Sequence, residues 1–396
     1  MPSALREHWT LDPSITFLNH GSFGACPRSV LGAQQREREK LEREPVLYLA
    51  RELEPRIDAS REVLAKFLNA DPRDLVFVSN ATSAVNAVLR SLRFSPGDEL
   101  LCTDHGYNAC ANVLRHVAEQ SGAKIVVARV PFPLESEQQL IDAVLAAVTP
   151  KTRFALLDHV TSPTALVFPV EVLVRELQGR GVPVMIDGAH APGMVPLDLA
   201  KLGASYYTGN CHKWLCAPKG VGFLHVRRAL QAPIRPPVIS HGANSPRTDK
   251  TRFQLEFDWM GTLDPTAILA LPEALSTMAA LVPGGWPEVM KRNRALALEG
   301  RKLLCDALRI AAPAPESMIG SLAAVPLPDG SSEPPKSALY NDALQTALFD
   351  RFQIEVPVAP WPAPPGRLLR ISAQLYNAID DYQRLVNALG QLLTNR

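Results

Sequence analysis

Between residues 74 and 226 the chain alternates short, continuously apolar runs with helical periods, and this alternation constrains the fold more than any other feature. "DLVFVSN" (74–80), "DELLCTDH" (98–105), "AKIVVARV" (123–130), "RFALLDHV" (153–160), "VPVMIDGAH" (182–190), "ASYYTGN" (204–210) and "GVGFLHV" (220–226) read as strands. Amphipathic stretches near 82–93, 109–122, 136–148 and 170–179 read as helices between them. Strands that are apolar on both faces must be covered on both faces, so the pattern predicts an α/β fold with a mostly parallel sheet flanked by helices. After "VPGGWPE" (282–288) the texture changes to a long helical pattern, short strands and a last helix at 380–393. The expected division is a large domain over 1–285, with helices around 28–44 and 54–68, and a smaller α+β domain over 286–396. A chain of 396 residues is long enough for two cores.

A net charge of +1 supplies no electrostatic reason to expect nucleic acid or an anionic membrane as partner. The first residues lack the apolar core of a signal peptide, and no run of about 18 apolar residues occurs, so a cytoplasmic location is expected. Six cysteines show neither zinc-ligand spacing nor a disulfide framework, which predicts reduced, buried thiols.

Ligands of open α/β sheets bind beyond the carboxyl ends of the strands. There "SNATSA" runs from a strand into a helix, and Thr82 and Ser83 at the helix N-terminus suit a phosphate as well as a plain helix cap. Asp187 ends the strand in "VMIDGAH", where a carboxylate can anchor a loop or hold a protonated heterocyclic nitrogen. Lys213 follows the next strand, in "TGNCHKWLCAPKG" (208–220). A solvated lysine, with a pKa of about 10.4, is a poor nucleophile, but apolar neighbours depress that value and free the amine. An amine, a pyridinium partner and a phosphate cradle are what pyridoxal 5′-phosphate requires.

"FLNHGSFGACP" (17–27), "DHGYNA" (104–109), "DHVTSPTALVFPV" (158–170), "DGAHAPG" (187–193) and "GNCHKWLCAPKG", with the segments above, resemble the class V aminotransferase-fold enzymes. The similarity is to the branch of isopenicillin N epimerase-like enzymes and C–S lyases. It implies pyridoxal 5′-phosphate, fold type I, and a homodimer with sites at its interface. Carried over by residue, it makes Lys213 the covalent anchor, Asp187 the partner of the pyridine nitrogen and His190 a neighbour of the phenolic oxygen. Ala81, Thr82, Thr208, Asn210 and His212 are implied to hold the phosphate, with Thr262 reaching it from the neighbouring subunit. His105 or Tyr107 is implied to stack on the ring, and Ser162 lies among the cofactor-binding residues. Arg370, in "LLRIS", is the expected grip on a substrate α-carboxylate, ahead of Arg367, and Asn19 and His20 are expected to line the substrate mouth. Cysteine desulfurases carry a late loop cysteine. Here Cys305, the last one, falls in a helical pattern, which disfavours that chemistry.

The expected first step is removal of an amino acid's α-proton by Lys213. Three outcomes then stay open: β-elimination by a C–S lyase with Tyr107 or a water as acid, epimerisation, and transamination. The lyase is ranked first by family analogy. A catalytically inactive binding protein of the same fold is a distant alternative. A dinucleotide-binding dehydrogenase is disfavoured because no G-x-G-x-x-G opens a helix, and the spacing of His105, His116 and Asp104 fits no metal motif.

Overall fold

In the computed structural model, which describes residues 3–333 and 342–393, three sheets are formed. The strands are β1 (Thr16–Phe17), β2 (Leu75–Val78), β3 (Glu99–Thr103), β4 (Lys124–Ala128), β5 (Thr152–Asp158), β6 (Val184–Asp187), β7 (Tyr206–Asn210), β8 (Gly222–Val226), β9 (Leu322–Leu327), β10 (Ile354–Glu355), β11 (Val358–Pro360) and β12 (Arg367–Ser372). The large sheet has the order β2-β8-β7-β6-β5-β3-β4. From β7 to β4 its pairings are parallel, and β8 alone runs antiparallel, between β2 and β7.

Strand alternation explains why these runs are apolar throughout. Ala155, Leu157, Val184 and Ile186 enter the core on one face of the sheet, while Phe154, Leu156 and Met185 enter a second core on the other. The helices Ala81–Ser91 and Asn108–Ser121 cover the second face with Ala84, Val85, Val88, Leu114 and Val117. Gly222 lets β8 sit close to the turn that ends β2. A Cβ there would lie 2.8 Å from the Gly209 carbonyl oxygen and 3.1 Å from the Asn80 Cα.

The C-terminal body is an antiparallel sheet of order β11-β12-β9, against which the Gly285–Leu308 helix packs, with the Ile379–Leu393 helix packed on that helix in turn. Its core also contains Leu18, and β1 pairs in parallel with β10, Phe17 opposite Glu355. The segment at 16–18 is therefore built into the C-terminal body, whereas the sequence grouped it with the large domain. Val160 and Trp214 of the large body meet Leu322, Ala324 and Leu368 of the smaller one in a shared apolar cluster. Among the described residues no single helix is long and apolar enough to cross a membrane.

Candidate active site

The carboxyl ends of β2, β5, β6 and β7 surround a cavity of about 610 Å³, within the ordinary range for small-molecule sites. Asp158 and Asp187 end adjacent strands in register and point to the same face, since Leu156 and Met185, two residues earlier, share one core. Both carboxyls are buried. Asp187 Oδ1 accepts from the Ala189 N–H (3.0 Å) and Oδ2 from the Cys110 thiol (3.1 Å). Burial, and then the Asp187 charge, pushes Asp158 well above the usual carboxylate range, so Asp158 is the member of the pair that keeps its proton. The sequence reading missed Asp158, although "ALLDH" shows the same apolar-run-to-aspartate pattern as "VMIDG".

Lys213 projects into this cavity from the loop after β7. Burial, and then the Arg370 guanidinium, lowers its amine to about 7. Nζ lies 3.0 Å from His190 Nε2, and the Trp214 indole N–H donates to His190 Nδ1 at 3.4 Å. The loop itself is held from behind. The buried His20 ring donates from Nε2 to the Lys213 carbonyl (3.0 Å) and accepts at Nδ1 from the Tyr376 hydroxyl (2.8 Å). Gly24, at φ +71°, passes so close that a Cβ would overlap the His212 carbonyl oxygen.

The N-terminus of the Ala81–Ser91 helix opens onto the cavity with Thr82 and Ser83, and His212 and Lys219 line the same cavity. Asn80 caps the helix by accepting from the Ser83 N–H, and Asn210 Oδ1 accepts from the Ala81 N–H at 2.8 Å. Burial, and then the Lys213 charge, lowers His212 to about 4. A second cavity of about 210 Å³ adjoins the first, and Ser22, Phe23, Tyr107, Ser162 and Lys213 line both. Arg370 forms its wall, donating to the Ser162 carbonyl (2.6 Å), the Ser162 hydroxyl (3.1 Å) and the Ser22 hydroxyl (3.0 Å). Asn19 and Glu355 complete the wall, joined by an Asn19 Nδ2 to Glu355 Oε1 hydrogen bond of 2.9 Å. Neither Glu355 nor Phe23 was singled out in the sequence, because nothing local marks a residue as lining a cavity between distant segments.

Several expected residues sit elsewhere. His105 lines neither cavity. Its ring is fully buried against Trp361, Phe132 and Phe168, donates to the Val130 carbonyl (3.0 Å) and accepts from the Thr164 hydroxyl (2.7 Å). Tyr107 is the aromatic residue of that loop at the cavity, 43% exposed. Thr208 lies one pleat short of Asn210 on β7 and gives its hydroxyl to the Phe223 carbonyl (2.7 Å), so it does not reach the phosphate end. His20 is not at the mouth but packed behind Lys213. Arg367 is buried in an ion pair with Asp342 (2.9 Å) and lies outside both cavities. Thr262 is exposed and outside both cavities of its own chain.

The charge pattern fits pyridoxal 5′-phosphate. A helix N-terminus with Thr82, together with His212 and Lys219, offers an anion site, and a buried aspartate pair and a lysine of lowered basicity line the same cavity. The aminotransferase class-V family model matches residues 25–346. The chain belongs to the class V aminotransferase family. It is 37% identical to the isopenicillin N epimerase of Amycolatopsis lactamdurans, over 98% of this chain and 97% of that one. It is 32% identical to a probable chloroplastic L-cysteine desulfhydrase of Arabidopsis thaliana, over 96% and 84%. The fold matches the cysteine desulfurase CsdA of Escherichia coli with a TM-score of 0.77 at 23% identity, over 98% and 97% of the two chains. This class V aminotransferase-family chain is a pyridoxal-phosphate-dependent enzyme of fold type I.

Proposed function

We propose that this enzyme cleaves the C–S bond of a cysteine-derived amino acid. The observation that carries the reading is that the Lys213 amine, the Arg370 fork and Tyr107 line one small cavity opening off the carboxylate-bottomed one. Relatives named L-cysteine desulfhydrase support the choice of sulfur chemistry.

When bound, the cofactor supplies an electron sink that makes a substrate α-proton acidic. Lys213 takes that proton, and an amine near 7 is partly neutral at neutral pH, as a base must be. Arg370 receives the α-carboxylate as a planar fork and orients the α-hydrogen toward Lys213. Asp187 would face the pyridine nitrogen of the bound cofactor. Thr82, Asn210 and His212 would hold the phosphate, while Tyr107 would cover the ring and protonate the departing sulfur. For cysteine itself the balance is cysteine plus water to hydrogen sulfide, pyruvate and ammonia, with no external oxidant or reductant. The active unit is a twofold homodimer in which the exposed Thr262 serves the partner's phosphate site.

The second reading is α-epimerisation, favoured by the resemblance to isopenicillin N epimerases. Incubating the holoenzyme with L-cysteine and S-alkyl cysteines separates the two. Release of pyruvate and ammonia supports the lyase, whereas inversion at the α-carbon with an intact side chain supports the epimerase. Sedimentation at micromolar concentration checks the dimer, which a fully active monomer would exclude.

A further inference from the structure

The small cavity has opposite charges on its wall. Arg370 is cationic, and Glu355 presents a carboxylate to the same space. Glu355 reaches the wall because β10 pairs with β1, and Asn19 Nδ2 fixes its Oε1 at 2.9 Å. Gln345 stands on the same wall, its side-chain carbonyl accepting from the Val358 N–H at 2.9 Å, and Phe23, 64% exposed, also lines the cavity. At about 30 Å³ per water-sized group, a volume of 210 Å³ holds roughly seven such groups. Once a carboxylate is seated on Arg370, room remains for several groups beyond the methylene and sulfur of cysteine.

We propose that Glu355 is a specificity-determining residue that receives a cationic group carried on the substrate side chain several atoms beyond the α-carbon. The preferred substrate is then an S-substituted cysteine, or an amino acid of like length, with a distal ammonium group, and not free cysteine. The inference rests on reading the small cavity as the substrate's. A carboxylate held by an amide on the wall of this cavity is a site for an ammonium ion by charge-assisted hydrogen bonding. A distal carboxylate at the same place meets like charge.

The experiment titrates the holoenzyme with S-(2-aminoethyl)-L-cysteine, S-(2-hydroxyethyl)-L-cysteine and S-carboxymethyl-L-cysteine, following the absorption of the bound cofactor. The aminoethyl compound is expected to bind about tenfold or more tightly than the hydroxyethyl one, and the carboxymethyl compound most weakly. Glu355→Gln keeps an oxygen for Asn19 and should collapse the preference, which a purely structural role for Glu355 would not do. Glu355→Lys should reverse the order. Equal binding of all three, an unchanged preference in Glu355→Gln, or no spectral response to any compound overturns the proposal. Pyruvate released from the same mixtures tests the lyase reading separately. Charge preference without pyruvate removes the lyase and keeps Glu355, and pyruvate without charge preference does the reverse.

Discussion

His190 Nε2 stands 3.0 Å from Lys213 Nζ, and the direction of that hydrogen bond is set on the other side of the ring. Because the Trp214 N–H donates to His190 Nδ1, the neutral ring carries its proton on Nε2 and donates it to the lone pair of the amine. Burial first, and then the Lys213 charge, lowers His190 well below its ordinary value, which keeps the ring neutral. The arrangement favours a neutral Lys213. Replacing Trp214 with Phe frees the other tautomer, whose Nε2 would accept from an ammonium ion. In Trp214→Phe the pH midpoint for cofactor uptake by the cofactor-free protein is expected to move upward from about 7. An unshifted midpoint would remove Trp214 from this role.

Lys213 also links pH to stability. Its amine holds a proton less tightly in the folded chain (about 7) than at the ordinary value of 10.5, so across that window the unfolded state carries more protons. Stability of the cofactor-free protein is reduced below the window and recovers as pH rises through it. Lys213→Met should therefore raise the melting temperature by a few degrees at pH 7. The gain should shrink as pH approaches the upper end. Thermal melts across this range check it, and a pH-independent difference would contradict the depressed amine.

Arg370 is expected to matter for amino acids and not for amines. Arg370→Ala loses a charge-assisted fork worth about 1.5–3 kcal/mol, or roughly one to two powers of ten in kcat/KM. Arg370→Lys keeps charge but loses the bidentate geometry. Cofactor binding should survive both, because Arg370 lies in the small cavity and outside the phosphate end. Spectral titration with amino acids and their decarboxylated amines is the measurement, and equal affinity for both sets in the wild type would exclude the assignment.

His105 is expected to act on stability alone. His105→Ala strands the Val130 carbonyl in a buried site, at about 1–3 kcal/mol, while the Thr164 hydroxyl keeps its bond to the Thr161 hydroxyl (2.7 Å). Denaturant unfolding should register that loss while the cofactor absorption stays intact. Tyr107→Ala should show the opposite, an altered absorption with little loss of stability. A spectral change in His105→Ala at full occupancy would return the stacking role to His105.

The order of strands and helices was legible in the sequence because burial on both faces writes continuous apolar runs, and each run ended within a few residues of its expected place. Asp187 and Lys213 were legible for a related reason. The carboxyl ends of parallel strands converge on one edge of the sheet, so an aspartate and a lysine that follow successive strands must be neighbours there. Tertiary structure decided which side chain at each end reaches the cavity. Thr208 and Asn210 share a face of β7, and one pleat separates a hydroxyl absorbed by the sheet from an amide at the site. His105 and Tyr107 are two residues apart, and packing against Trp361 and Phe168 turned the first inward. The pairing of Asp158 with Asp187 depends on strand register, and that of Asn19 with Glu355 on a contact 336 residues apart in sequence. Periodicity is a local property carried by each segment alone, but a cavity wall is assembled from segments whose proximity is fixed only when their cores are packed together.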